Sequence, residues 1–132
     1  MLGDKNVIAT LAVRDLDRAR DFYENTLGLK QAQGLPEGAD AGAVVYQAGS
    51  SAVLVYQSEY AGTNQATAAS WGVGDDFDAI VDDLGKKGVT FEHYDDLPDS
   101  TREGDIHLFG GMRAVWFKDP DGNILNVGNV SM

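Results

Sequence analysis

Residues 8–19, IATLAVRDLDRA, set a short apolar run ahead of an Asp-Leu-Asp triplet, and residues 69–80, ASWGVGDDFDAI, do so again 61 residues later. Asp15-Leu16-Asp17 is answered by Asp76-Phe77-Asp78. Each copy reads as a strand followed by a helix, because an Asp placed just before the first apolar-periodic residue can accept from the free N–H groups of a first turn. A short chain that repeats one module joins the copies around a shared cleft, so the cleft is where function is sought.

Working outward from the first copy, residues 7–13 read as a strand and Asp15 caps a helix to about Leu27, with Leu16, Ala19, Phe22, Tyr23 and Leu27 forming one stripe. Gly28 stops it. Residues 31–42 read as an exposed loop, with a short strand near 29–33. AVVYQA (43–48) and AVLVYQ (52–57) form a hairpin across Gly49-Ser50-Ser51. After a polar linker at 59–68, the second copy predicts a strand at 69–74, a helix at 76–87 ended by Gly88, a strand at 89–94 and a charged loop at 95–105. Strands at 112–118 and 123–129 then flank an Asp119-Pro120-Asp121-Gly122 turn. The expected fold class is α+β: one domain over 1–132, made of two βαβββ modules, about 5–58 and 69–132. Together they form a curved mixed sheet around a cleft, with helices on its outer face.

At 132 residues, 43% hydrophobic and 23% charged, the chain is sized and composed for one globular domain. Ten basic against 21 acidic residues give a charge of −11, with no cluster of Lys and Arg, so nucleic acid and anionic membranes are poor partners. A neutral or cationic small molecule suits the field better. The absence of cysteine excludes disulfides and thiolate chemistry. MLGDKNVI at the start lacks a basic segment followed by an apolar one, and the expected location is cytoplasmic.

LAVRDLDRARDFYENTLGLK (11–30) and WFKDPDGNILNV (116–127) resemble the vicinal oxygen chelate superfamily of glyoxalase I, the bleomycin-resistance proteins and the extradiol dioxygenases. The resemblance implies four metal ligands, two from each module, that hold a divalent ion for a substrate's two oxygens. The matching positions here are Ile8, Val55, Ala69 and Asn126. Three offer no lone pair and the fourth only an amide oxygen, so no metal and no other cofactor is expected. The chain is similar to the superfamily members that lack the ligands.

If those four positions face the cleft, strand alternation adds Thr10, Val53, Gln57, Trp71 and Ile124. The expected ligand-binding lining is Thr10, Val55, Gln57, Trp71, Trp116 and Asn126, apolar and aromatic with a few amides. Trp71 is either a stacking platform or core filling. Trp116 and Phe117 face opposite ways, so only one enters the cleft. Tyr46 and Tyr56 are expected to face the core. His93 and His107 are either two ordinary histidines or a displaced metal or general-base site with Glu92, Asp95 or Asp96. Arg113 and Lys118 are candidate anion binders at the rim or solvated charges. The acids of 75–83 read as a helix N-terminus and a solvated face.

The leading expectation is a metal-independent protein that binds a cationic or aromatic small molecule, as a homodimer. The alternatives are a lyase, isomerase or dioxygenase using a displaced site, and a non-catalytic regulatory subunit.

Overall fold

The computed structural model describes residues 1, 3–4, 8–33 and 42–130. The expected strand start at residue 7 and residues 34–41 of the expected loop lie outside them. The fold is α+β, and the chain divides into two compact units: Met1–Asn64 with Pro120–Asn123, and Gln65–Asp119 with Ile124–Met132.

In the first unit β1 (Ala9–Val13) runs into α1 (Leu16–Arg20), which continues as one π-helical stretch, Asp21–Thr26. Asp15 is the cap: its carboxylate accepts from the Asp17 and Arg18 amides at 2.9 and 3.3 Å. Ala19 and Tyr23 are fully buried, while Leu16, Phe22 and Leu27 are half-buried, so the expected stripe is right in phase and narrower in burial. β2 (Lys30–Gln31), β3 (Ala43–Ala48) and β4 (Ser51–Gln57) complete a sheet of order β1-β4-β3-β2, with β1 and β4 parallel. The core holds Leu11, Val13, Tyr23, Tyr46, Val53 and Val55. Tyr46 donates its hydroxyl to Glu24 at 2.9 Å; burial, then that carboxylate, pushes its pKa far above the usual phenol value.

The 120–123 turn belongs to this unit. Arg18 donates to the Pro120 carbonyl at 2.6 Å and Asn123 to the Ala12 carbonyl at 2.6 Å. Gly62, at φ +74°, passes so close to the Asp121 carbonyl that any Cβ there would overlap it.

The second unit repeats the plan. β5 (Thr67–Gly72) leads through a 3₁₀ turn at Gly74–Asp76 into α2 (Phe77–Lys86), ended by Gly88 at φ +90°. Asp82–Lys86 and Asp83–Lys87 pair along the exposed side of this helix. Next come β6 (Phe91–Glu92), β7 (Thr101–Glu103), β8 (Ile106–Phe109), β9 (Met112–Lys118) and β10 (Ile124–Gly128). The sheet order is β5-β10-β9-β8-β7, with β5 and β10 parallel and β6 paired to β9.

Three expectations need correction here. β5 starts at Thr67, inside the expected linker. The strand expected over 89–94 shrinks to two residues. The expected loop 95–105 carries β7 and joins β8 in a hairpin whose turn, Gly104-Asp105, places Gly104 at φ +59°. Thr101-Arg102-Glu103 is too short and charged to read as a strand; pairing with Ile106–Leu108 makes it one. Among the described residues no helix is long and apolar enough to cross a membrane.

Candidate functional site

Residues paired directly across a sheet share a face, so register sorts the second unit's side chains. Leu125 opposite Phe117 and Val127 opposite Val115 are buried. This is the helix side, since Arg113, in phase with them, lies 4.7 Å over the Phe77 ring of α2 and grips Asp78 at 2.7 and 3.2 Å. The opposite, open face carries Asn126 between Trp116 and Ser70, with Gly128 beside Ala114 and Gly72.

Trp116 is the hub of this face. Its indole N–H donates to the Thr67 hydroxyl at 3.1 Å. Tyr94, His107 and Phe109 meet it edge-on, with ring centroids at 5.7, 5.0 and 6.3 Å. Asn126 spends its NH₂ on the Val115 carbonyl at 3.1 Å, which leaves the amide oxygen to accept. A cavity of about 530 Å³ lies here, bordered by Phe109, Met112, Trp116 and Val130 and by the polar Ser70 and Asn126. A second, of about 200 Å³, is bordered by Gln65, Thr67, Tyr94, Leu97, Trp116 and Ile124.

The segment after β6 folds onto the same face. The Tyr94 amide donates to His107 Nε2 at 2.9 Å, which leaves the ring proton on Nδ1. His107 is 1% exposed, and burial, then the Arg102 guanidinium, holds its pKa below the usual imidazole value. Asp95 takes two hydrogen bonds from Arg102, at 2.7 and 3.1 Å, and these hold its carboxyl below the usual range. The Tyr94 hydroxyl is buried with no partner among the described residues; burial, then Glu92, raises its pKa.

The structure sets Trp71, Trp116 and Asn126 around the larger cavity and separates Thr10, Val55 and Gln57 from them. Thr10 stands exposed on the first unit's sheet, its hydroxyl donating to the Ile8 carbonyl at 3.2 Å. Val55, expected beside it, is opposite Leu11 on the buried face at 1% exposure, and Val53 lies there too. Gln57 shares their phase at the exposed end of β4. The phase of β4 was taken one residue off: Leu54 and Tyr56 share the Thr10 face, and Tyr56 is 37% exposed instead of core-facing.

Trp71 is half-buried opposite Val127, in the helix-side phase, and still borders the larger cavity; Ala69 lies opposite Leu125 in the same phase. The cause is a bulge, since Thr67 pairs with Ile124 and Ala69 with Leu125, so the extra residue Ala68 reverses the alternation.

His93, the exposed member of the histidine pair, contacts Asp105 at 2.8 Å. Two of the three acids expected near the histidines are engaged elsewhere, Asp95 with Arg102 and Glu92 with Lys118 at 3.1 Å. Lys118 is likewise ion-paired, and Arg113, paired to Asp78, also borders the larger cavity. Tyr94, Phe109 and Ser70 went unrecognised. Period-2 alternation from Trp116 along β9 finds Ala114; Phe109 and Tyr94 enter through pairing that no local pattern shows.

The four positions implied for metal ligands do not fit a divalent ion. Ile8 is a half-exposed aliphatic, Val55 and Ala69 lie off the open faces, and Asn126 already uses its amide nitrogen. Among the described residues no three His, Asp or Glu side chains form a group able to hold one.

Residues 6–127 match the Glyoxalase/Bleomycin resistance protein/Dioxygenase superfamily. No protein of curated function matches the sequence significantly. Among solved structures, the fosfomycin resistance protein FosX of Mesorhizobium loti is similar, with 17% identity, TM-score 0.66 and coverage of 98% of this chain and 94% of that one. A lactoylglutathione lyase of Agrobacterium tumefaciens is 20% identical, with TM-score 0.65 and 96% and 94% covered. An integron cassette protein from the mobile metagenome of Halifax Harbour sewage outfall is 18% identical, with TM-score 0.66 and 96% and 99% covered. At these identities the likeness is one of fold.

Proposed function

The chain belongs to the Glyoxalase/Bleomycin resistance protein/Dioxygenase superfamily, and from that premise we propose that it binds a small aromatic molecule without a metal ion. The observation that carries the reading is the cavity of about 530 Å³ in the second unit, with Trp116, Phe109 and Trp71 at its aromatic walls and Ser70, Asn126 and the ion-paired Arg113 as polar residues on its border. That volume falls within the range of small-molecule sites, and apolar walls with a few placed polar groups are their usual composition.

Magnitudes set what is recognised. Burying about 150 Å² of a flat ring yields roughly 4 kcal/mol at about 25 cal/mol per Å². A solvated charge on the ligand adds at most about 1 kcal/mol and is screened by salt. The ring therefore decides binding, while the net charge of −11 favours a cationic guest over an anionic one. The proposal includes a homodimer, supported by the exposed apolar side chains Ile8 and Tyr56 of the first unit and tested by light scattering.

A thermal-shift panel tests the reading. Aromatic and amphipathic cationic compounds are expected to raise the melting temperature, and Zn²⁺, Ni²⁺ and Mn²⁺ to leave it unchanged. The opposite pattern would overturn it.

A further inference from the structure

The two cavities lie on one face of one sheet and meet at one side chain. Ile124, Asn126 and Gly128 are successive open-face positions of β10; the first borders the smaller cavity and the other two the larger. On β5, Thr67 borders the smaller cavity and Ser70 and Gly72 the larger. Trp116, opposite Asn126, borders both, and its bond to Thr67 fixes the indole as the divider.

We propose that the cavities are two subsites of one groove along β10, which takes a two-part ligand: a flat aromatic ring in the larger and an uncharged hydroxyl or amide in the smaller. The inference rests on the binding reading above and names the ligand class more closely. The smaller cavity, about 200 Å³ against roughly 30 Å³ for a water molecule, has room for a short polar arm.

Its chemistry favours a hydrogen-bonding group. The Tyr94 side chain borders this cavity, and its hydroxyl, buried with no partner among the described residues, is costly until a small turn of the side chain pairs it with an arm seated there. Thr67 and Gln65 supply further polar atoms, and Leu97 and Ile124 keep the rest apolar. The charges at this end cancel: Glu92, opposite Trp116, and Lys118, opposite Ile124, pair at 3.1 Å. Paired to each other, they leave no uncompensated charge at this end to draw an ionic arm out of water, whereas a neutral arm needs none.

Calorimetric titration of 3-ethylindole and indole-3-ethanol, which differ by one hydroxyl, tests this. The wild type is expected to bind indole-3-ethanol about tenfold more tightly, one hydrogen bond's worth. In Tyr94→Phe that advantage should vanish, with an unchanged far-ultraviolet circular dichroism spectrum showing the variant to be folded. Equal affinities in the wild type, or an advantage that survives in Tyr94→Phe, would overturn the two-subsite groove and leave the binding reading standing. If neither indole binds, the binding reading fails and the groove with it.

Discussion

The two units share a plan and differ in what they do with it. Each has a strand leading into a helix, a parallel pairing of first and last strands (β1 with β4, β5 with β10) and an antiparallel neighbour. Each buries an aliphatic face. The open faces diverge. The first unit's holds Ile8, Thr10, Leu54 and Tyr56, with Ile8 at 45% and Tyr56 at 37% exposure. The second's holds Trp116, Asn126 and the buried His107, covered by Tyr94 and widened by the β7–β8 hairpin. A buried face is constrained by packing, where a lost methylene is felt, whereas an open face is free to change its chemistry. The repeat thus conserves a scaffold and specialises one copy.

The largest test of that asymmetry removes Trp116. Trp116→Ala is expected to weaken 3-ethylindole by about thirtyfold, as loss of a central aromatic anchor does. Tyr56→Ala and Thr10→Ala, on the other unit, should change it by less than about twofold. Equal losses on both faces would erase the distinction.

The helix starts supply a smaller contrast. Asp15 caps α1 with its side chain, whereas Asp76 makes no side-chain cap bond. In the second copy Asp78 instead accepts from Arg113, across the sheet's helix side. Asp15→Ala should therefore cost about 1 kcal/mol in denaturant unfolding, and Asp76→Ala less than about 0.5.

The smallest expected effect is a pH slope owed to the second unit. The fold holds His107 below its ordinary pKa of 6.5, so the unfolded chain takes up its proton first. Its contribution is full above that value and declines as the pH falls toward the folded one. Asp78 and Asp95, held below 3.8, lose theirs only at lower pH. The melting temperature should drop between pH 7 and about pH 5, and His107→Asn should flatten the drop.

Much of this was legible in the sequence because it is local. The Asp15 cap, the Gly28 and Gly88 stops, the 43–57 hairpin and the 119–122 turn each follow from residues within a few positions. The superfamily was legible from two separated motifs. The site was only half legible. Trp116 and Asn126 share a face because β9 and β10 alternate without interruption, while the phase of Trp71, which still borders the cavity, was hidden because nothing in ASWG marks the bulge at Ala68. Val55 was misplaced because AVLVYQ is apolar at nearly every position, so its phase comes from pairing with β1. Tyr94 and His107 meet through a hairpin that charged residues disguise.

Two tryptophans make the central claim directly measurable, since Trp71→Phe assigns both indole N–H signals in a ¹⁵N spectrum. On titration with 3-ethylindole the Trp116 indole signal is expected to shift to saturation, while the backbone amides of Thr10 and Tyr56 stay in place. Shifts at Thr10 and Tyr56 with a stationary Trp116 signal would contradict the account and move the binding site to the other copy.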